Sequence, residues 1–195
     1  MKPTLRMAVA AALCTAALMA CKRQPAEAPP AAPAPAPAPA ATSVPAPAAP
    51  APRDATAEVP ALRLATVDGG TFDLAQHRGK WVVVNYWATW CGPCLKEMPE
   101  LSALDAMREH IDVVGLAYED TTPEAMRAFL KQRPVVYPIA LVDVYAPPAD
   151  FEVPRGLPMT WLIAPDGKVA RKFTGPVTAH DIEAAIAAAG GPAPG

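Results

Sequence analysis

Cysteine is scarce in this chain. Four are present among 195 residues, at Cys14, Cys21, Cys91 and Cys94. No framework of several disulfides is available, as small secreted scaffolds require. Histidine is scarcer still, and His77, His110 and His180 are scattered without the spacing of a zinc site, which needs about four ligands. No charge of one sign dominates: 17 basic residues face 19 acidic ones for a formal net charge of −2. The basic footprint of a nucleic-acid binder is missing, and no nucleic-acid partner is expected. Nor does any apolar run reach the roughly 20 residues that a membrane-spanning helix needs.

Proline and alanine are abundant instead, and unevenly placed. The chain opens with basic "MKPTLR" and apolar "MAVAAALCTAALMA", a pattern that predicts a signal peptide over residues 1–20. "LMAC", Leu18 to Cys21, is similar to a bacterial lipobox, which makes Cys21 the expected lipidation site. The expected location is extracytoplasmic, lipid-anchored to a bacterial membrane and facing the periplasm. Residues 21–58 are Ala/Pro-rich, lack apolar periodicity and are expected to be a disordered tether. At about 3.1 Å per residue, some 30 residues of polyproline II would reach roughly 90 Å. Residues 59–190 are expected to form one domain and 191–195 a disordered tail.

Within the domain, "LRLATV-DGG-TFDL" reads as a β-hairpin turning at Asp68-Gly69. "KWVVVNYWA" is a continuous apolar run, as expected for a strand buried on both faces. Leu95, Met98, Leu101, Leu104 and Met107 recur at helical spacing, predicting a helix to about Glu109 that Pro99 should kink. "DVVGLAYE" reads as a second buried strand, "TPEAMRAFLKQR" as a helix capped by Thr122, and "VYPIALV" as a short irregular strand. A Pro-rich loop over 143–157 precedes the strand pair "MTWLIAP-DG-KVARKFT" and a last helix capped by Thr178 and Asp181. The order predicts an α/β sandwich with a mixed central sheet flanked by helices.

Cys91 and Cys94 stand where the first long strand gives way to a helix. Two residues between them close almost no loop, which argues against a structural staple. Haem attachment requires His after the second cysteine, and Leu95 stands there. A thiol at a helix N-terminus faces unpaired N–H groups and the positive end of the dipole, which favour thiolate. Cys91 is therefore the expected nucleophile and Cys94 the resolving thiol. Pro93 removes a donor where its loss costs little.

"WCGPC" after a buried strand, followed later by "GLPMTWLI", resembles thioredoxin. "NYWATWCGPCLKEMPEL" and "PDGKVARKFTGPVT" are more narrowly similar to the TlpA/ResA family of membrane-anchored thiol–disulfide oxidoreductases. The resemblance implies the thioredoxin fold with an N-terminal β-hairpin. It implies a cis Pro158 facing the cysteines, and a substrate surface made with Trp90, Gly92, Pro93 and Leu157. Glu97, three residues after Cys94 and on the same helical face, matches the family's acid beside the cysteines, with a proton-transfer role. Asn85 stands where thioredoxins carry a buried Asp and reads as a hydrogen-bonded core residue. Trp90 is expected to shield the disulfide, and Trp81, Trp87 and Trp161 to pack.

The expected activity is reduction of protein disulfides, without cofactor or metal. Oxidised protein dithiols are the implied substrates, apocytochrome c prominent among them, and a membrane-embedded thiol is the implied electron donor. The Gly-Pro dipeptide matches thioredoxin, near about −270 mV, rather than the oxidant DsbA at about −120 mV. Two alternatives stand beside this reading: a copper chaperone using both thiolates as ligands, and a peroxiredoxin-like thiol peroxidase. Bound Cu(I) would mark the first, and peroxide consumption the second.

Overall fold

A computed structural model describes residues 55–194. The predicted signal peptide, Cys21 and most of the tether lie outside the described residues, as does residue 195. Of the tether, the last residues already engage the domain. Thr56 accepts from the Glu152 amide, the Ala57 amide donates to Asp150, and Glu58 accepts from the Val169 amide.

The hairpin is β1 (Arg63–Ala65) and β2 (Thr71–Asp73), paired antiparallel. Gly69 turns it at φ +94°, a left-handed conformation that glycine adopts without steric cost. A 3₁₀ turn, Leu74–His77, follows β2 and is absent from the sequence reading. Asp73 nucleates it by accepting the Ala75 amide, a local bond that apolar periodicity does not reveal.

The main sheet contains β3 (Trp81–Trp87), β4 (Ile111–Ala117), β5 (Ile139–Leu141), β6 (Met159–Ile163) and β7 (Val169–Thr174), in the order β5-β4-β3-β6-β7. β3 pairs parallel with β4 and antiparallel with β6, so the sheet is mixed. Every residue of β3 is buried, as its continuous apolar run predicts. The hairpin is joined to the β5 edge by a Thr66–Ala140 bridge, which covers part of an otherwise open edge.

Three helices, α1 (Gly92–Met107), α2 (Pro123–Gln132) and α3 (Ala179–Ala188), contribute to one hydrophobic cluster with alternate residues of the sheet such as Val83, Trp87 and Val113. The hairpin, the 3₁₀ turn and Phe151 of the long loop pack on the other alternation, Val82, Val84, Tyr86 and Trp161. This is a thioredoxin-like fold with a small N-terminal hairpin sheet. Trp81, Trp87 and Trp161 are buried, consistent with packing roles. The capping box of Thr178 and Asp181 is present, and Thr122 caps α2 by accepting the Ala125 amide.

α1 differs in detail from its prediction. It stops at Met107, and Met107 is 69% exposed rather than part of the apolar face. The chain leaves the helix there to enter β4, with the Trp81 amide bonded to the His110 carbonyl. The buried face of α1 instead contains Cys94, Glu97, Met98, Leu101 and Leu104, so an acid occupies a position with the core residues.

Candidate active site

The end of β3 feeds directly into the N-terminus of α1. Cys91 is the N-cap of that helix, with Gly92 and Pro93 in the first turn. The amide of Cys94 donates to Cys91 Sγ at 3.3 Å, so a main-chain donor faces the sulfur. That contact and the helix dipole favour a thiolate on Cys91. The two cysteines form a disulfide, with Cα atoms 5.3 Å apart. Both are buried, Cys91 at 5% exposure and Cys94 at none, so Cys91 has the better access to a partner.

Gly92 and Pro93 are exposed beside the disulfide, and Trp90 is 70% exposed. The Trp90 indole thus presents an apolar face to solvent next to the buried cysteines. Its loop is held from below: both oxygens of Glu119 accept from Thr89, one from the amide and one from the hydroxyl, each at 2.8 Å. Pro158 precedes β6, and the antiparallel register Tyr86↔Met159 puts it at the same end of the sheet as the cysteines. The Leu157–Pro158 peptide is cis, and Leu157 packs against the cluster that contains Cys91 and Cys94.

Glu97 is 3% exposed. Its Oε1 accepts Asn85 Nδ2 at 2.8 Å, and its Oε2 accepts the Val177 amide at 2.9 Å. Asn85 Nδ2 also donates to Thr160 Oγ1 at 3.0 Å. Burial raises the Glu97 pKa from its ordinary value near 4.5 to about 7, the Val177 and Asn85 bonds oppose the rise, and the charge of Glu100 adds to it. A carboxyl poised near neutrality can take and return a proton under working conditions. The acid faces a buried polar network, with Cys94 one helical turn before it.

The protein-family model described as Redoxin matches residues 48–188. The chain belongs to the redoxin family. Thiol-disulfide oxidoreductase ResA of Bacillus cereus is 33% identical over 127 residues, covering 65% of this chain and 73% of that protein. Thioredoxin-like protein YneN of Bacillus subtilis is 30% identical over 131 residues, covering 65% and 75%. Among solved structures, a thioredoxin-family thiol:disulfide interchange protein of Chlorobium tepidum superposes with a TM-score of 0.59 at 26% identity, covering 70% of this chain and 97% of that one.

Within the redoxin family the chain is TlpA/ResA-like, and it is a thiol–disulfide oxidoreductase. The disulfide at the start of α1 is the chemical feature this activity needs. Three contributors to the site are not assigned a part in it by the sequence reading: Thr160, Val177 and the Glu119–Thr89 pair. Val177 contributes a main-chain N–H, which leaves no mark on residue type. Glu119 comes 28 positions after Cys91 and meets the loop because β4 runs parallel to β3, with Trp87 opposite Ala117.

Proposed function

We propose that this oxidoreductase is a lipid-anchored, extracytoplasmic reductase of protein disulfides, with Cys91 as nucleophile, Cys94 as resolving thiol and Glu97 as proton acceptor. The observation that carries the roles is the asymmetry of the pair. Cys91 caps α1 and receives the Cys94 amide, whereas Cys94 is fully enclosed.

In the reduced protein, Cys91 thiolate attacks one sulfur of a substrate disulfide. The S–S bond breaks, the other substrate sulfur leaves as thiolate, and a mixed disulfide joins Cys91 to substrate. Cys94 then gives its proton to Glu97 and attacks Cys91 Sγ. The mixed disulfide breaks, the second substrate sulfur leaves, and the Cys91–Cys94 disulfide closes. Two electrons have passed to the substrate, and the proton on Glu97 is available to a departing thiolate. A membrane-embedded thiol donor then re-reduces the pair. Exposed Trp90, Gly92 and Pro93, with Leu157 and Pro158 at the same sheet end, form the surface on which an extended substrate segment lies.

Reduction is favoured over oxidation by the Gly-Pro dipeptide and by the lack of a cationic residue between the cysteines that would stabilise the thiolate further. Oxidised protein dithiols are the proposed substrates, and the ResA likeness makes apocytochrome c the first to test. Cys21 is the proposed anchor.

The test is partner capture in cells. Cys94→Ser should accumulate mixed disulfides, and Cys91→Ser should form none and lose insulin reduction. The opposite trapping pattern would reverse the roles. Cys21→Ala should abolish lipid labelling, and persistence of the label would remove the anchor while leaving the redox chemistry intact.

A further inference from the structure

Glu97 is joined by two routes to the segment that begins at Pro158. On one side Asn85 Nδ2 bridges Glu97 Oε1 and Thr160 Oγ1, and Thr160 lies on β6 two residues after Pro158. On the other, the Val177 amide donates to Glu97 Oε2, and two residues earlier the Gly175 amide donates to the Pro158 carbonyl at 3.0 Å. Gly175 turns at φ +92°, which lets β7 end there and the chain double back toward α1. The segment is anchored again at its far end, where the Ala179 amide donates to Glu100 Oε2.

We propose that Glu97, besides accepting a proton, is a positioning residue for the substrate groove: its ionised form holds the Pro158–Thr160 segment by both routes, and its protonation loosens that hold and weakens substrate binding. The proposal rests on the reading above that Pro158 lines that groove.

The physical reason lies in donor and acceptor counting. A carboxylate offers acceptors on both oxygens, and here each oxygen already faces an N–H donor. Protonation converts one oxygen into an O–H donor, so a donor then confronts a donor. The remaining bond also loses its charge assistance, which roughly doubles the strength of such bonds. Whichever oxygen takes the proton, a tie is weakened, and both ties lead to Pro158. The main-chain N–H of Val177 has no acceptor to offer in exchange. Asn85 Oδ1 is buried without a hydrogen-bond partner, so the Asn85 amide could turn and accept from both the Glu97 O–H and the Thr160 hydroxyl, but that tie would then be neutral and lack its charge assistance.

The titratable groups around Glu97 come from its own helix, from the segment before β5 and from α3, and the Glu97→Gln control separates its titration from theirs. Glu100, on its own helix, acts on it through charge, and Tyr137, preceding β5, has its pKa raised first by burial and then by the charges of Glu97 and Asp105. On α3, Asp181 is engaged in the capping box and its pKa is lowered, with His180 beside it. The cysteines do not titrate while joined as a disulfide.

The experiment uses the full-length chain in its disulfide form and a fluorescein-labelled peptide whose two cysteines are blocked with carboxamidomethyl, so that no exchange occurs. Anisotropy gives Kd from about pH 5.5 to about pH 8.5, spanning the Glu97 transition. Kd should rise about five- to tenfold as pH falls through 7, and Glu97→Gln should remove the dependence. In parallel, the amide resonances of Gly175 and Met159 should titrate together with that of Val177. A flat Kd in the wild-type chain overturns the proposal. So does a Val177 titration that leaves Gly175 and Met159 unmoved, and this measurement decides the matter even if Glu97→Gln fails to fold. Absence of peptide binding at every pH, with the amides still titrating, would instead overturn the assignment of Pro158 to the groove.

Discussion

Asn85 donates to Glu97 across 2.8 Å, and that bond joins the strand before the cysteines to the helix that follows them. It makes the core amide on β3 a determinant of the acidity of the acid on α1. Placing a carboxyl at residue 85 should expose this. In Asn85→Asp, two buried carboxyls at hydrogen-bond distance would share a proton, since both cannot ionise cheaply. Titration by NMR or by the pH profile of Cys91 alkylation should show two separated apparent pKa values, one of them above the value of about 7 for Glu97 in the wild type. A single unshifted transition would show that the two groups do not interact.

Glu97 should also govern part of the pH dependence of stability. Its pKa is near 4.5 ordinarily and about 7 in the fold, so between these values the native state binds more protons than the unfolded state. Its contribution is therefore most favourable below about pH 4.5, declines as pH rises toward 7, and levels off above. Urea unfolding across this window should show the decline in the oxidised wild-type chain and its absence in Glu97→Gln. Equal slopes would place the proton elsewhere.

Glu119 should matter to the rate through Thr89. Glu119→Gln keeps an oxygen for the Thr89 N–H and offers an NH2 that the Thr89 hydroxyl can meet as acceptor, so the change removes the charge assistance of both bonds. The expected cost in stability is about 1 kcal/mol, the difference between a charge-assisted and a neutral hydrogen bond. Insulin reduction should slow through misplacement of Trp90 and Cys91, with the pKa of Glu97 unmoved. A variant as stable and as fast as wild type would reduce the contact to surface decoration.

Gly115 tests the packing under the site. A Cβ there would lie 2.5 Å from Ile139 Cδ1 and 3.0 Å from both Trp87 Nε1 and Tyr137 Cε2. Gly115→Ala should destabilise the chain by about 1–3 kcal/mol through overpacking. Thermal unfolding measures this directly, and an unchanged midpoint would mean that Ile139 moves aside at little cost.

Much of the architecture was legible from local chemistry. The all-apolar run of β3, the Asp68-Gly69 turn, the caps Thr122 and Thr178, and the Cys91–Cys94 pair at a strand-to-helix junction are each carried by neighbours in sequence. The resemblance of "WCGPC" and "GLPMTWLI" to known oxidoreductases supplied the fold and the expectation for Pro158. Local pattern went astray where tertiary contact competes with it: Met107 has the spacing of a core residue, yet the chain departs from the helix at that point and leaves it exposed. The 3₁₀ turn after β2 depends on one side-chain bond from Asp73 and leaves no periodic trace.

The sequence by itself determined the chemistry of this protein: two thiols at a helix start, an acid one turn further on, and a polar amide in a buried strand. The tertiary structure decided what that acid touches. Its partners lie 12 positions before it in Asn85 and 80 after it in Val177, and one of them is a main-chain N–H that any residue except proline would supply. Side-chain identity records the first kind of partner, whereas the second exists only once β7 has ended at Gly175 and α3 has docked beside α1. Burial of Glu97 follows from the same docking, and with it the shift that turns an ordinary surface-type carboxyl into one that titrates at about 7.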